Sequence, residues 1–166
     1  MNSKFWAFSL AVYGAEAVGP ECLSLQDKFD VDINLLLLCA YLGAVQGVTL
    51  TADDIAAARA EVASWHEDIV KPLRAARRRL KTAAPPDAPI ADAAAQLRTR
   101  VKAAELESEY IEQLVLERWA ELRFASRSRG EPRVAIATNV AALFEAYAVP
   151  GPQGAATHLV AAALAR

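Results

Sequence analysis

The stretch PECLSLQDKFDVDINLLLLCAYLG, residues 20–43, joins a group of polar side chains to the most apolar run of the chain. That run covers residues 35–45, and the polar residues stand directly before it. Polar groups so close to an apolar run are expected to be at least partly buried, and buried polar groups need hydrogen-bond partners. The segment is therefore expected to fix the local structure, and its polar residues form a candidate site.

A buried helix is predicted to follow the polar group. Asp30 or Asp32 can cap a helix that runs from Ile33 to about Gln46, because aspartate accepts hydrogen bonds from the first free N–H groups. The helix is apolar on nearly all sides, which is typical of a central buried helix. Two shorter helices are expected before it, one over residues 3–12 that ends at a left-handed Gly14, and one that Gly19-Pro20 opens.

Two long amphipathic helices are predicted in the middle of the chain. The first begins at the capping signal TADD (residues 51–54), and Pro72 is expected to kink it near residues 68–72. A proline-rich turn at residues 83–89 separates it from the second, which covers residues 90–124. The first apolar stripe is Ile55, Ala58, Val62, Trp65, Ile69, Leu73, Ala76 and Leu80. The second is Ile90, Ala94, Leu97, Val101, Ala104, Ile111, Val115, Trp119 and Leu122.

These stripes predict that the two long helices pack as an antiparallel hairpin. Two apolar helices follow, at residues 134–147 and 155–165, and residues 150–152 (PGP) separate them. With 166 residues, 54% of them apolar, the chain is expected to form one all-α domain, a bundle of about seven helices. Its parts are a three-helix core (1–47), the hairpin (51–125) and the C-terminal apolar helices (134–166).

The composition also bears on the compartment. Two cysteines are too few for a disulfide scaffold, which favours a reducing compartment. The apolar runs are shorter than the ~20 residues that span a bilayer, so no transmembrane segment is expected. Residues 4–17 have the coarse pattern of a signal peptide, but their apolar part is aromatic and amphipathic rather than leucine-rich. We expect a cytoplasmic protein.

Positive charge collects at one end of the predicted hairpin. The basic tip, as we name it, consists of Lys71, Arg74, Arg77, Arg78, Arg79 and Lys81. Folding at the proline turn is expected to place it beside Arg98, Arg100 and Lys102 rather than beside the glutamates. The cations are then either solvated, or bind an anion such as a phosphate or an acidic protein, or dock on an acidic patch of this chain or a second copy. The candidate binding residues are Arg74, Arg77, Arg78 and Lys81.

Nucleic acid is not an expected partner, because the basic run has no interleaved aromatic residues. A second candidate site is a polar pocket of Gln26, Asp27, Asp32 and Asn34, with Tyr13 or Cys22 at its edge. The alternative for these four residues is a structural hydrogen-bond network, since satisfied buried polar groups commonly specify a unique packing.

Motifs for metal or cofactor chemistry are not present in the sequence. Asp30, Asp32 and Asn34 resemble the opening of an EF-hand loop, but Leu35 stands where that loop needs glycine and Tyr41 where it needs glutamate. His66 and His158 have no partners at ligand spacing. Cys22 lies in a first helical turn, yet no histidine is near it in sequence. We therefore expect no metal and no cofactor.

The N-terminal half resembles a known group of proteins. The matching residues are 5–13 (FWxFSLxVY), 22–27 (CLxLQD), 32–37 (DINLLL), Trp65, 72–74 (PLR) and 77–81 (RRxLK). They are similar to the signature of an uncharacterised family of small proteobacterial proteins, a domain of unknown function. The resemblance implies a bacterial, cytoplasmic protein and assigns no catalytic or ligand residue.

The functional hypothesis from the sequence is a non-enzymatic helical interaction protein, an adaptor or regulator. It would bind a protein partner, or a second copy, through the basic tip and the C-terminal helices. The alternative is a small-molecule-binding protein or enzyme that uses the polar pocket.

Overall fold

The computed structural model describes residues 3–83, 87–151 and 156–166. Throughout these ranges the regular structure is helical and contains no strand, which confirms the all-α class. The helices are α1 (Lys4–Tyr13), α2 (Val18–Phe29), α3 (Ile33–Ala44), α4 (Ala52–Trp65), a π-helical turn (His66–Val70), α5 (Lys71–Thr82), α6 (Ala88–Phe124), α7 (Pro132–Ala146) and α8 (Thr157–Leu164). The predicted turns at 83–89 and 150–152 fall partly outside the described residues.

The chain forms two compact units. The core unit contains residues 1–61 and 113–166, and the hairpin unit contains residues 62–112. The single-domain assignment made from the sequence stays a prediction. None of the helices in the described ranges is long and apolar enough to cross a membrane.

Helix α3 is the buried centre of the core unit, as the sequence predicts. All of its residues from Asn34 to Gly43 are buried. Asp32 is the N-cap, and its carboxylate accepts hydrogen bonds from the backbone N–H groups of Asn34 at 2.8 Å and Leu35 at 3.4 Å. Asp30 ends α2 instead: its φ of 54° is left-handed and its N–H donates to the Gln26 carbonyl. The two aspartates therefore stop one helix and start the next.

The turn between α1 and α2 differs from the prediction. Ser3 caps α1, since its hydroxyl accepts a hydrogen bond from the Trp6 N–H at 2.9 Å. Gly14 has a φ of −76°, so it does not take the predicted left-handed conformation. The left-handed residue is Ala17, with a φ of 64°, directly before α2. Helix α2 begins at Val18, so that Pro20 lies inside its first turn rather than at its first position.

Helices α3 and α7 approach closely at Gly43. A Cβ at this position would lie 2.5 Å from the Cα of Ile136 and 2.6 Å from its backbone nitrogen. We expect Gly43→Ala to lower the free energy of unfolding by about 2 kcal/mol, because backbone atoms have to move to admit the methyl group. Chemical denaturation monitored by circular dichroism measures the change.

Gly19→Ala is the matched control for this substitution. Its new Cβ would lie 3.6 Å from the Tyr13 side chain, an ordinary van der Waals contact. Alanine favours a helix over glycine by up to about 1 kcal/mol, which offsets the crowding by Pro20 of a Cβ on the preceding residue, so the control is expected to lose much less stability than Gly43→Ala. Equal losses in the two variants would show that Gly43 marks no close approach.

The hairpin unit is antiparallel. The Trp65 indole N–H donates to the Ser108 carbonyl at 3.0 Å, and His66 contacts Glu112. Further along, Arg77 contacts Glu105. Later residues on the first side of the hairpin unit thus contact earlier residues of α6, as expected for two antiparallel helices.

A π-helical turn lies at the position where the sequence predicts a kink. The five residues His66–Val70 form the turn, which ends two residues before Pro72. A proline has no N–H for the preceding turn and crowds its carbonyl, so a widened turn here is expected. The turn shifts the buried face by one residue: Val70 is buried, whereas Ile69, which the apolar stripe predicted inside, is 37% exposed.

The buried face of α6 is also displaced from the predicted stripe. Leu122, the last stripe residue, is 77% exposed. The buried positions of the helix are Glu105, Ser108, Glu112, Gln113, Leu116, Ala120 and Phe124. They follow helical spacing, but four of the seven are polar, so counting apolar residues alone selected the wrong face.

Candidate functional sites

The inner part of the basic tip is engaged inside the hairpin unit. Arg74 donates to the Glu109 carboxylate at 2.9 Å and lies 3.5 Å from the Glu105 carboxylate. Arg77 contacts Glu105 through two nitrogens, with Nη2 at 3.0 Å from Oε1. Glu105 is buried, accepts hydrogen bonds from Arg77 and forms an ion pair with Arg74. Planar bidentate contacts of this kind hold two helices in one register.

The predicted surroundings of the basic tip are therefore wrong for these two arginines. The sequence placed them beside Arg98, Arg100 and Lys102, on the assumption that the hairpin folds symmetrically about the proline turn. In the structure their partners lie about two to three turns further along α6. The shifted register brings glutamates opposite the arginines and neutralises this part of the tip.

The outer part of the basic tip faces solvent. Arg78, Arg79 and Lys81 are exposed in the last turns of α5, a helix with no buried residue. Lys71, at the other end, pairs with Glu67 at 2.8 Å. Of the four candidate binding residues, Arg78 and Lys81 present charge at the surface, whereas Arg74 and Arg77 are positioned as structural ion pairs.

A buried histidine–glutamate pair lies deeper in the hairpin unit. His66 Nδ1 is 3.1 and 3.3 Å from the two oxygens of Glu112, and both side chains are buried. The histidine belongs to the π-helical turn, a feature that occurs frequently at functional sites. An imidazole and a carboxylate at this distance can share a proton or act as two ligands of a metal ion.

A buried polar group in the core unit is built around the first turn of α3. The Gln113 side-chain N–H donates to the Asn34 amide oxygen at 2.8 Å. Asn34 in turn donates its backbone N–H to Asp32, so one residue touches both of the others. All three side chains are buried. The Gln113 amide oxygen has no hydrogen-bond partner in the structure.

The other members of the predicted polar pocket lie elsewhere or differ in character. Gln26 is half-buried and Asp27 is exposed on α2. Tyr13 is exposed at the end of α1. Burial, and after it the negative charge of Glu21, raise the pKa of the Cys22 thiol to about 12. Because the thiolate is the nucleophile, Cys22 fits a structural role.

The Tyr147 phenol is affected electrostatically by Asp32. Burial, followed by the charge of Asp32, raises the pKa of the Tyr147 phenol to about 12. The Arg59 guanidinium lies 4.3 Å from the centre of the Tyr147 ring and acts in the opposite direction. The phenol therefore stays protonated at neutral pH and can act as a hydrogen-bond donor.

Sequence reasoning identified Asp32 and Asn34 but missed Gln113. The available signal was the spacing of Leu116, Ala120 and Phe124, which extends backwards in helical steps to residue 112 or 113. A polar residue on an otherwise apolar face is a candidate for a buried partner. Only the fold shows that the partner of Gln113 is Asn34.

Comparison with known proteins identifies a family but no characterised relative. The family model described as "Protein of unknown function (DUF2390)" matches residues 4–116. A search of curated proteins and a search of solved structures each found no match.

Proposed function

Because the chain belongs to the DUF2390 family of proteins of unknown function, we propose its function from its own residues: a non-enzymatic interaction protein whose hairpin unit binds an acidic protein segment. The proposal keeps the expectations of a bacterial, cytoplasmic adaptor or regulator. The observation that carries it is the charge of α5. This helix holds the whole basic tip and no acidic residue.

The division of the basic tip supports this proposal. Glu105 and Glu109 hold Arg74 and Arg77, which fixes α5 against α6. Exposed cations continue from there towards the loop, at Arg78, Arg79 and Lys81. A rigid helix that carries exposed cations on its last turns attracts an acidic segment with little ordering cost, because its backbone is already ordered.

The contact would be electrostatic and therefore dependent on salt. Charges at the surface are screened over about 8–10 Å at physiological ionic strength. A partner held by them is expected to associate fast and to dissociate as salt is added. This behaviour suits a transient regulatory contact better than a permanent assembly.

Arg79→Glu combined with Lys81→Glu is expected to weaken binding of an acidic peptide at least about tenfold at low salt, since two attractions become repulsions. Fluorescence anisotropy of a labelled oligoglutamate peptide measures the affinity. Circular dichroism is expected to show an intact fold, because both side chains are exposed.

Lys28→Glu serves as the matched control, because Lys28 is an exposed cation on α2 outside the basic tip. It changes the net charge in the same direction and is expected to leave the affinity nearly unchanged. If the double variant binds as tightly as the wild type, or if Lys28→Glu weakens binding equally, the basic tip is not the binding surface.

A second candidate function, a small-molecule-binding protein or enzyme, is favoured by the buried group of Asp32, Asn34 and Gln113. Its members converge on the start of α3, and one polar atom there lacks a partner. Native mass spectrometry of freshly purified protein tests this candidate. A retained small molecule that disappears in an Asn34→Leu variant would support it, and a bare chain in both proteins would count against it.

A further inference from the structure

We propose that Asp32 and Gln113 hold a hard divalent cation, of the Mg²⁺ or Mn²⁺ type, beside the first turn of α3 in the core unit. This inference is independent of the acidic partner proposed for the basic tip. It deepens the second candidate function by naming the class of ligand.

The first observation is the unsatisfied oxygen of Gln113. The side chain is 1% exposed, and its amide oxygen has no partner although its amide nitrogen is bonded to Asn34. Leaving a buried acceptor unpaired costs about 1–3 kcal/mol, which is why nearly all such groups in proteins are satisfied. A bound ligand that accepts electron density from this oxygen would remove the cost.

The second observation is the carboxylate of Asp32. It is buried and reaches the same residue, because Asn34 donates its backbone N–H to Asp32 and its amide oxygen accepts from Gln113. Both bonds are 2.8 Å long, so Asn34 is bonded to the carboxylate through its backbone and to the Gln113 amide through its side chain. Both outer groups offer oxygen lone pairs.

The chemistry of these groups selects the ligand. A carboxylate oxygen and an amide oxygen are hard ligands, which suit Mg²⁺, Ca²⁺ and Mn²⁺ better than soft metals. Mg²⁺ and Mn²⁺ keep several water molecules when protein ligands are few, so two protein oxygens can form such a site.

Calorimetric titration of the full, EDTA-treated chain with MgCl₂, MnCl₂ and CaCl₂ tests the proposal. We expect saturable binding of at least one cation and a melting temperature that rises with its concentration, since a ligand of the folded state stabilises it. Absence of saturable heat together with an unchanged melting temperature for all three salts would overturn the proposal and leave an ordered water as the partner of Gln113.

Substitution of Gln113 separates a cation ligand from a structural amide. Gln113→Leu removes the oxygen and is expected to weaken cation binding at least tenfold while the chain still folds. Gln113→Glu adds a carboxylate of the same shape. Without cation, the Gln113→Glu variant is expected to have a lower melting temperature than the wild type. With cation, its melting temperature is expected to recover, and it is expected to bind the cation at least tenfold more tightly than the wild type.

Two control variants complete the test. Asn139 is a buried amide whose oxygen and nitrogen are both bonded, so Asn139→Asp is expected to destabilise the chain equally with and without cation. The same cation-independent loss in Gln113→Glu would overturn the proposal. Glu112→Gln addresses the histidine pair: loss of binding there, with binding retained in Gln113→Leu, would assign the cation to His66 and Glu112 instead.

A bound cation and a bound small molecule predict different results in these experiments. A protein that retains a small molecule in mass spectrometry but binds no divalent cation refutes the cation alone. A protein that binds the cation through Gln113 and retains no organic molecule supports the cation and limits the second candidate function to metal binding.

Discussion

Replacing Asn139 with leucine is expected to lower the free energy of unfolding by about 4 kcal/mol, the largest effect that we expect from one substitution in this chain. Asn139 lies on α7 and is fully buried. Its amide oxygen accepts from the Leu50 N–H at 2.7 Å. Its amide nitrogen donates to the carbonyls of Val48 at 2.9 Å and Cys39 at 3.1 Å.

The cost comes from the groups that leucine would leave unpaired. Residues 45–51 connect α3 to α4, and within this segment the Leu50 N–H and the Val48 carbonyl bond to Asn139. Asn139 supplies a donor and an acceptor to this buried connection. Each backbone group that loses its only partner costs about 1–3 kcal/mol, and Leu50 and Val48 both do so. The Cys39 carbonyl loses less, because it lies within α3, where the helix supplies another donor.

Equilibrium unfolding in guanidinium chloride measures this change, with the slope of the transition reporting whether it stays two-state. Thr138→Ala is the matched control on the neighbouring position. Thr138 is exposed and its hydroxyl only bonds back to the Val134 carbonyl, so a change below about 0.5 kcal/mol is expected. If Asn139→Leu is as stable as Thr138→Ala, water supplies the hydrogen bonds of the Leu50 N–H and the Val48 carbonyl in the variant.

The elements that sequence reasoning predicted correctly are those with local causes. Asp32 and the apolar run after it determine the start and the burial of α3 within a few residues. Thr51 and Asp54 form a reciprocal cap at the start of α4, where each side chain accepts from the other residue's N–H. Such signals need no knowledge of the rest of the fold.

The features that sequence reasoning missed depend on contacts between distant residues. The register of the hairpin is set by Glu105 with Arg74 and Arg77, and a symmetrical fold about the turn gives a different pairing. Glu112 and Gln113 can be buried on α6 because they bond to His66 and Asn34. The polarity of the two residues alone does not indicate that these partners exist. Polar residues at apolar spacing are therefore the signal to weigh in such helices.

Asp54→Asn is expected to cost about 3 kcal/mol at neutral pH, because it breaks a buried, doubly paired carboxylate. Arg123 Nε donates to one oxygen of Asp54 at 2.7 Å, and Arg127 Nη1 donates to the other at 2.6 Å. The Thr51 N–H adds a third bond at 3.0 Å. We expect the lower end of the usual range, since the arginine side chains are 43% and 35% exposed and remain partly hydrated.

The same carboxylate makes stability depend on acid. Burial alone would raise the pKa of Asp54, but the hydrogen bonds from Thr51, Arg127 and Arg123 outweigh it and hold the pKa well below its usual range. In the unfolded chain the group titrates near its ordinary value of about 3.9. Its contribution is therefore fully present above about pH 5 and is lost as the pH falls through 4 towards the folded-state pKa.

The free energies of unfolding of the wild type and Asp54→Asn, measured from pH 7 down to pH 2, should accordingly approach each other as the pH falls. Only the wild type loses the contribution of the Asp54 carboxylate in acid. Asp53→Asn is the control for other acidic groups, since Asp53 is an exposed neighbour in the same first turn. Its difference from the wild type is expected to stay small at every pH. If the difference in free energy of unfolding between the wild type and Asp54→Asn is unchanged at pH 2, the amide disturbs packing and the charge of Asp54 contributes little. Convergence would assign the stability to the ion pairs that join the start of α4 to the end of α6.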